Sequence, residues 1–147
     1  MPSQFQYRVR PADWTQDQGA IANLRREVFI AEQHVPEHLE WEPEDGQHRW
    51  FVAESRLGLI GIARLTGAGR VGRMAVRRPF RGKGVGTALL RAVLEAAREA
   101  GMARVHLSAQ THAEGFYVRQ GFIAQGDVYQ DAGIPHRTMY LQWKESE

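Results

Sequence analysis

The chain has 147 residues, of which 43% are hydrophobic, 10% aromatic and 24% charged, with a net charge of +2. That balance is globular, and the length suits one domain over 1–147, which excludes a disordered chain. No apolar run approaches the roughly 20 residues that span a bilayer, and zero cysteines exclude a disulfide scaffold, a thiolate zinc site and a cysteine nucleophile.

Met1-Pro2-Ser3-Gln4-Phe5-Gln6 lacks the apolar stretch of a secretory leader, so the expectation is a soluble, cytoplasmic protein. Phe5 to Arg10 alternates apolar and polar residues, the period of a half-buried strand. Thr15-Gln16-Asp17-Gln18 has capping-box form, and Ile21, Leu24, Val28 and Phe29 recur at helical spacing. A helix is therefore predicted to about Ala31, closed off by Pro36. His34 to Gln47 is polar, acidic and irregular, a loop or short helical turn long enough to suggest function. Arg49–Ser55 and Leu59–Thr66 predict a hairpin about Arg56-Leu57-Gly58, and Arg70–Val76 a further strand that Pro79 ends. Gly84–Ala100 reads as a long helix with Val85, Leu89, Leu90, Val93, Leu94 and Ala97 on its apolar stripe. Ala103–Ala109 alternates, with Ala103, Val105, Leu107 and Ala109 on one face. Thr111-His112-Ala113-Glu114 is a second capping box, opening a short helix that Gly121 ends. Phe122–Gln130 and Arg137–Lys144 close the order as strands around a loop from Asp131 to His136. The strand–helix–strand unit implies a parallel pair and the flanking hairpins antiparallel ones. The class is α+β, with a central mixed, mostly antiparallel sheet flanked by helices.

Charge is segregated along the chain. Glu27, Glu32, Glu37, Glu40, Glu42, Glu44 and Asp45 follow one another with no Lys or Arg between them. Arg64, Arg70, Arg73, Arg77, Arg78, Arg81 and Lys83 do so with no Asp or Glu. Two solvated faces would produce this layout, and so would a site pairing a phosphorylated ligand with a basic one.

Arg81-Gly82-Lys83-Gly84-Val85-Gly86-Thr87 lies between a strand and the long helix. Glycines allow backbone to approach a ligand closely, and the first helical turn aims unpaired N–H groups at the loop. A phosphate there accepts those bonds and meets the positive end of the helix dipole. A Walker A loop would need a Lys between the second glycine and the hydroxyl residue, but Thr87 follows Gly86 directly. A dinucleotide fingerprint would place its third glycine one position later and an acid near 102–107, where there is none. A glycine-rich turn beside a solvated basic run remains open.

Arg81-x-x-Gly84-x-Gly86 resembles the acyl-CoA loop of the GNAT N-acetyltransferase superfamily, where the loop also follows a strand and opens a long helix. Downstream, Phe116-Tyr117 and Gly121-Phe122 resemble the family's terminal element. Val28-Phe29-Ile30-Ala31-Glu32-Gln33, Glu44-Asp45-Gly46 and Gly133-Ile134-Pro135-His136-x-x-Met139 are similar to the ElaA-like branch, so the likeness spans roughly 27–140. It implies an acetyl-CoA-dependent transfer of an acetyl group to a primary amine, with no metal. It further implies that backbone of Met74, Ala75 and Val76 meets the pantetheine arm, that Arg81, Gly82, Lys83, Gly84, Val85, Gly86 and Thr87 hold the pyrophosphate, and that Tyr117 protonates the departing thiolate. His112 stands where many relatives have an Asn near the cofactor. Family members are often dimers.

An alkylammonium of pKa about 10.4 must also lose a proton, at a cost near 4–5 kcal/mol at pH 7. Candidates to receive it are Glu32, His106, His112 and His136, or a water held by Ser108 or Gln110. Glu32, Asp45, Ser108, Gln110 and His136 are the expected acceptor-binding residues, and the acidic block points to a cationic acceptor. His34 and His38 are separated by Pro36, which prevents the helical presentation of a metal site. A basic nucleic-acid-binding domain ranks second, lacking an interleaved aromatic platform, and a non-catalytic acyl-CoA-binding module third. No membrane partner is expected.

Overall fold

A computed structural model describes residues 5–143. Strand β1 (Tyr7–Pro11) leads into helix α1 (Trp14–Arg25), which runs on as a wider π-helical coil over Arg26–Glu32. A short helix α2 (Glu37–Glu40) and a 3-10 turn at Asp45–Gln47 precede strands β2 (Arg49–Ser55), β3 (Gly58–Leu65) and β4 (Val71–Val76). Helix α3 (Val85–Glu99), strand β5 (Arg104–Gln110), helix α4 (Glu114–Arg119) and strands β6 (Ile123–Asp131) and β7 (Ile134–Gln142) complete the order. The class is the expected α+β, and no described helix is long and apolar enough to cross a membrane.

The strands form two antiparallel sheets, ordered β1-β2-β3-β4 and β5-β7-β6. The expected parallel pairing is reduced to one bridge between Arg70 and His106, beyond which β4 and β5 share no ladder. Helix α3 closes one face. Its Val85, Leu89, Leu90, Val93 and Ala97 are buried against Phe51, Ala53, Ile60 and Ala63 of the first sheet and Val105, Leu107 and Met139 of the second. Each of the valines, leucines and isoleucines among them contributes about 1.5–3 kcal/mol by leaving water. Gly61 permits the close fit: a Cβ there would stand 2.8 Å from Leu89 Cδ1. The other face of the first sheet presents Trp50, Val52, Ile62 and Ala75 to Ile21, Leu24, Val28 and Phe29. Both faces of β2 and β3 are thus covered, which is why these strands read as nearly continuous apolar runs.

Several boundaries differ from expectation for local reasons. Helix α1 is capped by Asp13 rather than Thr15, since the Asp13 carboxylate accepts from the Gln16 amide while Asp17 accepts from the Asp13 amide at 2.8 Å. The expected box at Thr111 does not close: Glu114 instead lies 3.3 Å from Arg137, and a 3-10 turn starts the segment. Ala103 is exposed and outside β5. The loop from Asp131 to His136 is in fact a two-residue turn with Ala132 at φ 52° and Gly133 at φ 77°, so β7 begins earlier and takes in His136. Lys144, expected in the last strand, lies outside the described residues, as do Met1 to Gln4 of the leader reading.

Candidate functional site

Where β4 and β5 part, β4 is paired with β3 along one edge only. The other edge carries backbone donors and acceptors that have no strand beside them, an arrangement that an extended amide-bearing ligand can complete. The strand is also irregular. Its register against β3 shifts between Ile62 and Arg64, and Arg73 opposite that shift has φ 45°. A left-handed arginine costs of order 1–2 kcal/mol and marks a bulge that re-aims the neighbouring groups.

Downstream of that edge the chain turns at Gly82 (φ 76°) and Gly84 (φ 84°), and Gly84 occupies the cap position of α3. A Cβ built on either glycine would meet nothing within 4 Å, so the loop faces open space, and no side chain caps the helix N-terminus. Its amide donors and dipole end are left for an anion. The loop and the open edge are adjacent: a Cβ on Gly86 would lie 3.7 Å from both Met74 Cε and Phe116 Cζ. The geometry therefore fits a long ligand with a diphosphate at one end.

The Arg81 side chain is not free to join that clasp. Its Nε donates to the Val76 carbonyl at 2.7 Å, and its two terminal nitrogens hold the Glu32 carboxylate at 2.6 and 2.9 Å. Arg81 is a strut that pins the loop to the strand and to the π-helical coil. Lys83 reaches over the Phe5 ring at 5.6 Å.

A cleft of about 210 Å³ opens beside the parted strands, lined by Met74, Ser108, Gln110, His112, Tyr117 and His136 among others. Tyr117 is half-buried, packed edge-on against Phe116 and Phe122 at 5.1 and 5.8 Å. Burial pushes its phenol up to about 12. His136 is buried, and its Nδ1 donates to the Ile134 carbonyl at 2.7 Å. A carbonyl can only accept, so Nδ1 carries the hydrogen and a neutral His136 ring has its lone pair on Nε2. Gln110 Nε2 donates to Gln33 at 2.9 Å and its Oε1 accepts from His112 at 2.6 Å, tying the end of β5 to the coil. Ser108 is hydrogen-bonded to the Tyr129 hydroxyl. His106 is not among the lining residues; burial, followed by Arg70 and Arg104, holds its pKa below the ordinary imidazole value.

Two expected site residues are placed elsewhere. Glu32 lines neither the cleft nor its extension; Arg81, with burial opposing and Arg78 assisting, holds it below the usual carboxylate range. An ionised carboxylate so tightly paired is a poor base. Asp45 is buried between Arg25 at 2.9 Å and Arg64 at 3.3 Å, away from the cleft lining. The two charge blocks are in fact joined to each other: Arg77 with Glu27, Arg78 and Arg81 with Glu32, Arg73 with Glu40, and Arg64 with Glu42 and Asp45. Most of the charge in each block is thereby taken up by the other.

Residues that sequence reasoning passed over are Phe29, Gln33, Gly72 and Arg73, all in the cleft lining. Gly72 inside a strand pattern was the available signal, since such a glycine often marks a bulge.

The family model described as Acetyltransferase (GNAT) domain matches residues 12–143. Protein ElaA of Escherichia coli is 31% identical over 125 residues, covering 80% of this chain and 82% of ElaA. An uncharacterized N-acetyltransferase, YjcF of Bacillus subtilis, is 32% identical over 120 residues, covering 79% and 86%. The crystal structure of Escherichia coli ElaA superposes with a TM-score of 0.84 at 27% identity, over 93% of this chain and all (100%) of that one. An acyl-CoA N-acyltransferase from Pseudomonas aeruginosa superposes with a TM-score of 0.77 at 28% identity, over 94% and 99%.

Proposed function

Because the chain belongs to the acetyltransferase (GNAT) family, we propose that it moves an acetyl group from acetyl-CoA to a primary amine of a small molecule, a lysine or a chain N-terminus. The observation that carries this reading is the open edge of β4, which runs between the Tyr117 cleft and the uncapped start of α3. Backbone of Met74, Ala75 and Val76 would hold the pantetheine arm, with the Val76 carbonyl already engaged by Arg81. The amides from Gly82 to Thr87 would hold the diphosphate, since a Cβ on Gly82 or Gly84 would meet nothing within 4 Å among the described residues. Bound there, acetyl-CoA supplies an activated acyl carbonyl and a thiolate leaving group.

His136 Nε2 accepts a proton from the incoming ammonium, which frees the nitrogen lone pair to attack. The ring is held in that role by the Nδ1 bond to Ile134. Tyr117 donates its hydroxyl proton to the departing sulfur as the new C–N bond replaces C–S. The second proton shed by the nitrogen restores the phenol, so each turnover releases one proton to solvent. A phenol near 12 remains protonated throughout the neutral range. Burial of a thiol beside it would raise that group too from its ordinary pKa of about 8.5, so donor and acceptor stay better matched than those values suggest. The paired basic block supports an enzyme over a nucleic-acid binder, because most of its guanidiniums already have carboxylate partners. A cytoplasmic location, where CoA thioesters are made, is part of the same reading.

Calorimetric titration with acetyl-CoA tests the reading: saturable binding is expected, and no heat at millimolar ligand removes it. Gly84→Val should abolish that binding, because it places a branched side chain where the loop is open and φ is 84°. A melting curve of the variant separates loss of binding from loss of fold.

A further inference from the structure

The cleft continues into a second hollow of about 220 Å³, and the two share Phe29, Gln33, Arg73, Gln110 and His136. The extension is walled by Val35, Leu39 and Ile134, with Asp131 exposed at its rim. Arg73 is therefore the one arginine or lysine on the wall that the two hollows share, and acyl transfer as described above gives it no task.

Its surroundings leave its hydrogen-bond donors unused among the described residues. The guanidinium lies 5.5 Å from the Phe29 ring centroid, which limits how the plane can turn. Only Nε faces a carboxylate, 3.1 Å from Glu40 Oε2, and even that contact lacks hydrogen-bond alignment. The terminal nitrogens form no hydrogen bond among the described residues, and the side chain is 28% exposed. Burial pulls the guanidinium below its ordinary pKa, with Arg64 and Arg25 acting in the same direction against Glu40 and Glu42. An arginine nonetheless stays charged, and these neighbours leave it ready for an additional anion. The backbone argues likewise. At φ 45° a glycine would be unstrained, yet the position carries a long cation aimed at the shared wall of both hollows.

Resting on the acyltransferase reading, we infer that the acceptor amine bears a carboxylate, which the free edge of the Arg73 guanidinium binds while the amine lies beside His136. A planar fork and a carboxylate match in two parallel hydrogen bonds. An acceptor with only positive charge offers those donors nothing and is repelled by Arg73. The acceptor class is thus amino acids and related amino carboxylates, in place of the cationic amines that the acidic block suggested.

The experiment compares 4-aminobutyrate and β-alanine with their carboxamides, two pairs that differ in the anionic group alone. Ligand-observed NMR on the protein without coenzyme should show saturable binding of the carboxylates and at least tenfold weaker binding of the amides. Thiol release with acetyl-CoA should favour the carboxylates by 50-fold or more in kcat/KM, although the amides have the more acidic ammonium and so more free amine. Arg73→Gln should collapse both ratios toward one, and Arg73→Lys, which keeps the charge beside Glu40, should retain part of them. Equal binding of acid and amide, or a ratio that survives Arg73→Gln in a variant with a native melting curve, overturns the inference. The acetyl-CoA titration is separate: carboxylate-selective binding without coenzyme binding would sink the transferase reading and leave the Arg73 site standing.

Discussion

Where α1 and α2 meet β3, four charged side chains, Arg25, Glu40, Asp45 and Arg64, lie in one connected layer. Across β4, the cleft holds Tyr117 and His136, whose hydroxyl and Nε2 have no hydrogen-bond partner among the described residues. The first region satisfies charge with charge; the second leaves a donor and a lone pair unsatisfied. That difference separates residues that hold the chain from residues that act on something else. A buried ion pair need not stabilise relative to an apolar replacement, yet removing one member leaves the other stranded. A cleft side chain without a partner leaves nothing stranded when it is replaced.

The largest effect is therefore expected in the ionic layer. Glu40 is fully buried and its Oε2 meets Arg25 at 2.8 Å and Arg73 at 3.1 Å. Glu40→Ala leaves Arg25, 1% exposed, without that carboxylate, and should cost about 3–5 kcal/mol in urea unfolding. A loss under about 1 kcal/mol would mean that water reaches the layer and the comparison fails on its first side.

The cleft side is tested by Tyr117→Phe. Removing a general acid typically costs 10²–10⁴ in rate, and about 100-fold in kcat is expected here, or about 2.7 kcal/mol. Acetyl-CoA affinity and melting temperature should scarcely move, because the hydroxyl has no hydrogen-bond partner among the described residues and the ring's packing on Phe116 and Phe122 is kept. With the phenol near 12, the wild type should show no alkaline loss assignable to Tyr117 below about pH 11. Unchanged turnover in the variant would assign thiolate protonation to water.

This division was only partly visible in the sequence. The loop from Arg81 to Thr87 and the stripe of α3 are local, each written within a few residues; the stripe is buried and the loop opens the helix as expected, although the Arg81 side chain turns to Glu32. The pairing of the charge blocks was hidden because its partners lie far apart in the chain, as Arg77 and Glu27 or Arg81 and Glu32 do. No periodicity encodes such a contact. His136 was read into a loop because an alanine at φ 52° opens the hairpin turn, where glycine or asparagine would have announced it. The parting of β4 from β5 depends on the Arg73 bulge, and an arginine in a strand gives no sign of a left-handed backbone. What composition and spacing conveyed was the glycine loop that opens α3; what they hid was the geometry of the cleft beside β4.

Glu32 lies on the border between the two regions, and its substitution is expected to do least. Were it the base, one of the candidates for that role in the sequence, Glu32→Gln would reduce kcat by 100-fold or more. As the partner of Arg81 and Arg78 it only steadies the loop, and its side chain is 23% exposed, so solvent screens the pair. Glu32→Gln should then cost under about 1 kcal/mol in stability and weaken acetyl-CoA binding a few-fold, through freedom gained by Arg81, with kcat nearly kept. The pH dependence follows the same logic. Arg81 lowers the folded-state pKa of Glu32 below its ordinary carboxylate value, so the pair stabilises fully above that value and is lost as pH falls through the lower, folded one. The difference in stability between wild type and Glu32→Gln should therefore be constant near neutrality and shrink only below about pH 4.5. A kcat that collapses in the glutamine variant while acetyl-CoA affinity holds would move Glu32 from the structural side of the border to the chemical one.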